Sequence, residues 1–201
     1  YSSISNAMAN VVLAATNDIK FLFNVAINMV NNNVGITLNA GRDILFENNV
    51  SITTKNGDLN FNAGRNIRID ESNAHITTNG GDFILTSALS LASGYINIEN
   101  ANIATGGGLL KLLGGSAVVP PSGTQKSISV QNTVATTSGG DVDMDARDIE
   151  LLNADIGTGG GDFLIAASNN VNIAQNSEIF TDGGLIDVRG LYADMDNSTV
   201  A

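Results

Sequence analysis

One property of this chain constrains its fold more than any other: it repeats itself about every 23 residues. A first phrase reads Gly-Gly-Asp, apolar, any, apolar. It occurs at Gly80–Leu85, Gly139–Met144 and Gly160–Ile165, with a variant at Asn56–Phe61 and weaker copies at Gly106–Leu109 and Gly183–Ile186. A second phrase follows, and Leu38–Phe46 aligns without gaps on both Leu13–Phe21 and Phe61–Ile69. A third closes the unit with Asn, a small residue, any residue and Ile or Val. Its Asn slot holds Asn24, Asn49, Asn73, Asn100, Asn132, Asn153, Asn176 and Asn197. Anchors at Val11, Ile36, Leu59, Phe83, Leu109, Val142, Phe163 and Ile186 are 25, 23, 24, 26, 33, 21 and 23 residues apart. The one long spacing contains residues 113–127, which hold both prolines and read as a loop inserted into an otherwise regular unit.

A period this short excludes two-helix repeats and propeller blades. Within a unit the apolar residues alternate, as in Ile67/Ile69, Ile96/Ile98 and Ile149/Leu151, which is strand periodicity. Three short strands and three corners per unit predict the rung of a parallel β-helix, about eight rungs in all, with a period of 21–26 residues over 1–201. Equivalent residues then stack in columns about 4.8 Å apart. The inward columns are Ile, Val, Leu and Phe, with Ala40, Ala63, Ala146 and Ala167 at a tight corner. Glycines are expected to supply positive φ at the turns. The Asn column is expected to form a side-chain ladder, and Thr54, Thr78, Thr137, Thr158 and Thr181 a hydroxyl ladder. Ile19–Met29 keeps one parity without a glycine. It reads as one rung with a corner at Asn24, or alternatively as a strand that pairs with another chain. No capping helix is predicted at either end. Ile4–Met8 read as the tail of an earlier rung, so the chain is either a length of a longer array or a unit whose ends stack on other subunits.

Composition narrows the function. Nine Lys+Arg against 20 Asp+Glu, a net charge of −11, argues against nucleic acid and anionic membrane surfaces. There is no Cys and one His, so thiolate zinc sites, Cys nucleophiles and His-rich metal sites are excluded. No apolar run reaches the length of a transmembrane helix.

The repeat Ile-x-Thr-x-Gly-Gly-Asp-apolar-x-apolar, seen best at Ile76–Phe83 and Ile156–Phe163, resembles the repeats of filamentous-haemagglutinin-like exoproteins. These are the two-partner-secretion adhesins and related autotransporter passenger domains. The resemblance covers about residues 10–200. It implies a right-handed parallel β-helix, an extracellular or cell-surface location, and a role in adhesion, biofilm or filament scaffolding.

Chemistry-bearing residues are weighed against that reading. Asp141, Asp143 and Asp145 share the outer side of one strand, beside Arg147 and Asp148, as acid/base chemistry on a polysaccharide requires. Their simpler reading is a solvated face, and no enzymatic activity is expected. Asp58 over Asp82, and Asp141 over Asp162, place carboxylates in one column, where calcium is the candidate cation. No other cofactor is expected. Thr53-Thr54 and Thr77-Thr78 are adjacent and do not form two Thr columns on one face, which argues against ice binding. Arg42/Arg65 and Asp18/Asp43/Asp148 read as surface ladder residues, and His75 as an exposed corner residue. Val118, Val119, Pro120 and Pro121 in the inserted loop are the expected contact surface. The expectation is an extracellular structural protein, the shaft of a bacterial surface adhesin or filament. Its expected partners are itself, and a host or neighbouring cell surface or its glycans. The alternatives are a filament subunit stacking end to end and a carbohydrate-active β-helix enzyme.

Overall fold

The computed structural model describes residues 2–69, 73–87, 94–115, 127–196 and 198–201. The chain coils as a parallel β-solenoid with three faces per rung. On the first face, Val11–Ala15, Ile36–Ala40, Leu59–Ala63, Phe83–Thr86, Leu110–Leu113, Val142–Ala146, Phe163–Ala167 and Ile186–Arg189 pair in that order. These eight strands number the rungs. The second face stacks Ile19–Phe21, Ile44–Phe46, Ile67–Ile69 and Ile96–Glu99, and ends with Asn170–Ala174 and Tyr192–Asp196. The third stacks Ala26–Asn32, Ser51–Lys55, Ala74–Thr77 and Ala101–Ala104, and ends with Glu178–Phe180 and Thr199–Val200. In rungs five and six a single strand, Ile128–Thr136 or Ile149–Gly157, runs across both of these faces.

Alternation decides which side of each strand is buried. Leu59, Phe61 and Ala63 face in while Asn60 and Asn62 face out, and the same parity recurs in every interior rung. The buried column is continuous, and Phe21, Phe46, Phe61 and Phe83 follow one another with ring centroids 4.7, 5.5 and 5.3 Å apart. The corner between the second and third faces is made by the Asn column. Asn24, Asn49, Asn100, Asn132, Asn153 and Asn176 have φ between 46 and 63°. Asn tolerates this left-handed region better than other non-glycine residues. Asn24 is thus a true corner, and Ile19–Met29 is two strands of one rung.

Three expectations are corrected. The fifth anchor is Leu110, which pairs with Phe83 and Val142; Leu109 occupies the slot that holds Asp in other rungs. The weak Gly106–Leu109 copy hid this slip because it carries three glycines in a row. Second, eleven positions separate Leu85 from Ile96, where six separate Leu38 from Ile44. A second lengthening therefore separates these positions, and anchoring that rung on Leu109 kept its spacing within the range of the others. Third, the N-terminal residues do not form a rung tail. Ser2–Ser5 is a helical turn, and Ile4 and Ala7 pack against the core. The Asn28 amide donates to Ser5 Oγ at 3.2 Å, and Asn31 Nδ2 donates to the Ala7 carbonyl at 2.8 Å. No helix among the described residues is long and apolar enough to cross a membrane.

Candidate functional site

Four columns hold one rung to the next, and most of the residues singled out from the sequence belong to them. The first is the Thr column. Thr54 Oγ1 donates to the Gly57 carbonyl at 2.5 Å and approaches the Thr78 carbonyl of the next rung at 3.1 Å. Thr78, Thr137 and Thr158 repeat both contacts, and so does Thr105, which the sequence phrase did not include. The ladder runs from hydroxyl to backbone, not from hydroxyl to hydroxyl. These hydroxyls are fully buried and satisfied, which is the condition for burying them without penalty.

The glycine column works in two ways. Gly80, Gly107, Gly139, Gly160 and Gly183 have φ of 109–116°, a region closed to side chains. The glycine after each has ordinary φ but no room. A Cβ on Gly81, Gly108, Gly140, Gly161 or Gly184 would collide with the backbone of the glycine one rung earlier. The second glycine of the phrase is therefore demanded by backbone packing between rungs.

The remaining two columns are latches made by Asp and Asn. Asp58 Oδ1 accepts the Asp82 amide at 2.9 Å, and Asp82 Oδ1 accepts the Leu109 amide at 2.8 Å. Asp141 accepts from Asp162, and Asp162 from Leu185, both at 2.8 Å. All four cation candidates thus each commit an oxygen to the next rung. Among the described residues no three His, Asp or Glu side chains gather as a metal-binding group. On the neighbouring corner, Asp43 Oδ1 accepts the Asn66 amide at 3.2 Å, and Asp148 Oδ1 accepts the Asn170 amide at 3.3 Å. Arginines reinforce this corner. Arg42 binds both oxygens of Asp18, at 2.7 and 2.6 Å, and Arg65 binds both oxygens of Asp43. The Arg42 guanidinium holds the Asp18 carboxyl down to about 2, and Arg65 holds Asp43 below its ordinary value. Arg147 and Asn169 bind Asp148 at 2.9 and 2.6 Å. The ladder reading of these residues describes their contacts, but Asp43 and Asp148 are buried rather than on the surface.

In the Asn column, side chains join Asn49 to Asn24 at 3.1 Å and Asn153 to Asn132 at 2.9 Å. Asn100 Nδ2 instead donates to Glu99 at 3.4 Å. A further Asn pair, Asn62 to Asn39 at 3.0 Å, stands on the first face and was not foreseen. Beside it a trough of about 640 Å³ follows the corner over Ala40, Gly41, Ala63 and Gly64. Asn73 is exposed next to the strand Ala74–Thr77, and His75 is exposed within that strand, not at a corner. Asn197, Val118, Val119, Pro120 and Pro121 lie outside the described residues.

The outer carboxylates of rung six do not act together. Asp141 is a latch, Asp143 is paired with Lys111 at 2.5 Å, and Asp145 points out beside the corner. The third face carries a different feature. Its two outward columns read Asn102, Val134, Asp155, Glu178 and Ala104, Thr136, Gly157, Phe180 in successive rungs. The Phe180 ring occupies the space that a side chain at Gly157 would fill. It is nonetheless 40% exposed, and Val134 nearby is 42% exposed.

No family model, curated protein or solved structure matches this chain.

Proposed function

We propose that this chain is a structural, non-enzymatic segment: the right-handed β-helical shaft of an extracellular adhesin or filament on a bacterial surface. One observation carries the reading. The Thr, Gly, Asp and Asn columns that look like chemistry in the sequence are spent on joining rung to rung. What such a molecule supplies is a stiff rod, because the strands of the interior rungs pair with a rung on either side. Its outer faces then act as contact surfaces for a host or neighbouring cell, with the 113–127 loop as one of them. Antibody labelling of intact cells that produce the full reading frame tests the location. Surface signal without permeabilisation is expected; signal only in lysed cells sinks the reading. Loss of cell attachment on deleting the segment tests the adhesive role.

End-to-end stacking is the second reading. It is favoured by the rung-on-rung parallel pairing that runs through all eight strands of the first face, a contact that a rung of a second copy can repeat. Unpaired strand edges invite another strand. Sedimentation velocity over a concentration series separates the two: growing, polydisperse species support stacking, and a constant monomer rejects it.

A further inference from the structure

We infer that the third face at rungs five to seven is a binding site for an uncharged pyranose glycan, with Phe180 as its platform. The inference deepens the surface-shaft reading by naming a contact and its ligand class.

Phe180 follows the parity of outward residues, since Ile179 beside it is buried at 1%. An aromatic ring on the outside of a rod loses hydrophobic stabilisation unless something covers it. Here the site one rung earlier is glycine, and the ring rests in the place that glycine leaves open. The remaining ring surface faces solvent. The column behind the ring continues past Gly157 to Thr136, and the neighbouring outward column holds two exposed carboxylates. Glu178 is two residues away on the same strand, and Asp155 is Glu178's register partner. Neighbours in one column stand about 4.8 Å apart, and residues two apart on a strand about 6.5–7 Å. An apolar platform with two carboxylate acceptors along one side at that spacing matches a sugar ring, which has a C–H face and hydroxyls around its edge. Beyond Glu178 a polar recess of about 200 Å³, lined by Asn176, Glu178, Ser198 and Thr199, continues the same face.

Two other occupants fit less well. A protein strand cannot add to this face, because the backbone of Ile149–Gly157 is already paired on both sides. The apolar patch, one ring and a valine, is also far smaller than the roughly 800 Å² per partner of a stable protein interface. An anionic glycan would meet Asp155 and Glu178, in a region (residues 127–201) with twelve Asp+Glu and two Lys+Arg. Charge leaves the uncharged sugar as the ligand.

The test is amide chemical-shift mapping with uncharged gluco-, galacto-, manno- and N-acetylhexosamine oligosaccharides, with a uronic-acid series alongside. At least one uncharged series is expected to shift the amides of 134–136, 155–157 and 178–180. Phe180→Ala should weaken that binding about tenfold, the loss of one aromatic stacking contact. Gly157→Ser, which puts a side chain where the ring lies, should weaken it with Phe180 still present. Glu178→Gln should weaken it less. Phe180→Ala should leave the melting temperature nearly unchanged, so a folding defect is distinguishable. Silence of these amides with every uncharged series overturns the inference. So do stronger binding of uronic acids, equal binding by Phe180→Ala, or a change in self-association in that variant. A chain found only inside cells that still binds the sugar refutes the shaft reading and leaves this site standing. A surface-exposed shaft that binds no uncharged glycan does the reverse.

Discussion

Rungs two and three and rungs seven and eight are built on the same inward alternation but finished differently outside. In the first pair, Arg42 and Arg65 each clasp an Asp of the preceding rung, and residues 1–69 hold five Lys+Arg against four Asp+Glu. In the second pair the acids have few cations to meet. Arg189 binds Asp187 of its own strand, so that pair joins no rungs. The Asp latch does not separate the pairs: rung two has Gly35 in that slot, while Asp162 accepts the Leu185 amide between rungs seven and eight. Stability in a solenoid is close to a sum over neighbouring interfaces. The difference therefore predicts that the arginine-clasped corner of the early rungs adds stability that the same corner of rungs seven and eight lacks.

Core truncation should separate the two regions most. Phe61→Ala, inside a ring stack with no exposure, is expected to cost about 3–5 kcal/mol. Met195→Ala in rung eight, where the side chain is 48% exposed, should cost well under half of that. Equal losses by chemical denaturation would remove the contrast. A smaller effect is expected at the glycine column, where Gly140→Ala forces a Cβ onto the Gly108 backbone and should cost about 1–3 kcal/mol. The same substitution at exposed Gly190, outside that column, should cost less.

Thr105→Val keeps the side-chain shape and removes the buried donor to the Gly108 carbonyl. Leaving that carbonyl unpaired should cost about 1–3 kcal/mol. Thr181→Val removes a longer bond, 2.7 Å to the Gly184 carbonyl, and should cost less. The smallest effect concerns pH. The folded value of Asp18, about 2, lies below its ordinary 3.8, so its contribution is complete above about pH 4 and disappears as pH falls through about 2. Asp43 shifts in the same direction for the same reason. Asp18→Asn should flatten the fall in melting temperature between pH 4 and 2 and alter neutral-pH stability little, because exposed ion pairs contribute little. An unchanged acid limb would show that the Arg42 pair is without consequence.

Periodicity made the solenoid, the inward columns and the Asn corner readable, because a stacked rung must place like residues over like. Reading failed where a rung departs from its neighbours. Three consecutive glycines left Leu109 and Leu110 indistinguishable by pattern, and only pairing with Phe83 and Val142 chose between them. The long interval between Leu85 and Ile96 went unread because the spacing of that rung, taken from Leu109, stayed close to that of the others. The helical turn Ser2–Ser5 carries no repeat at all and is held by contacts from Ile4 and Ala7. Phe180 over Gly157 was legible in principle: the third phrase puts Ile179 inward, alternation then puts Phe180 outward, and Gly157 lies one period earlier.

The sequence by itself determined that this chain coils, with which residues inward and with what period. Alternation and recurrence act locally and repeat in every rung, so they survive without knowledge of the rest of the molecule. Only the tertiary structure decided what the polar columns do. Whether an aspartate holds a cation, attacks a substrate or accepts the amide of the next rung depends on which atoms lie within about 3 Å of it. Those atoms come from residues 21 to 27 positions away.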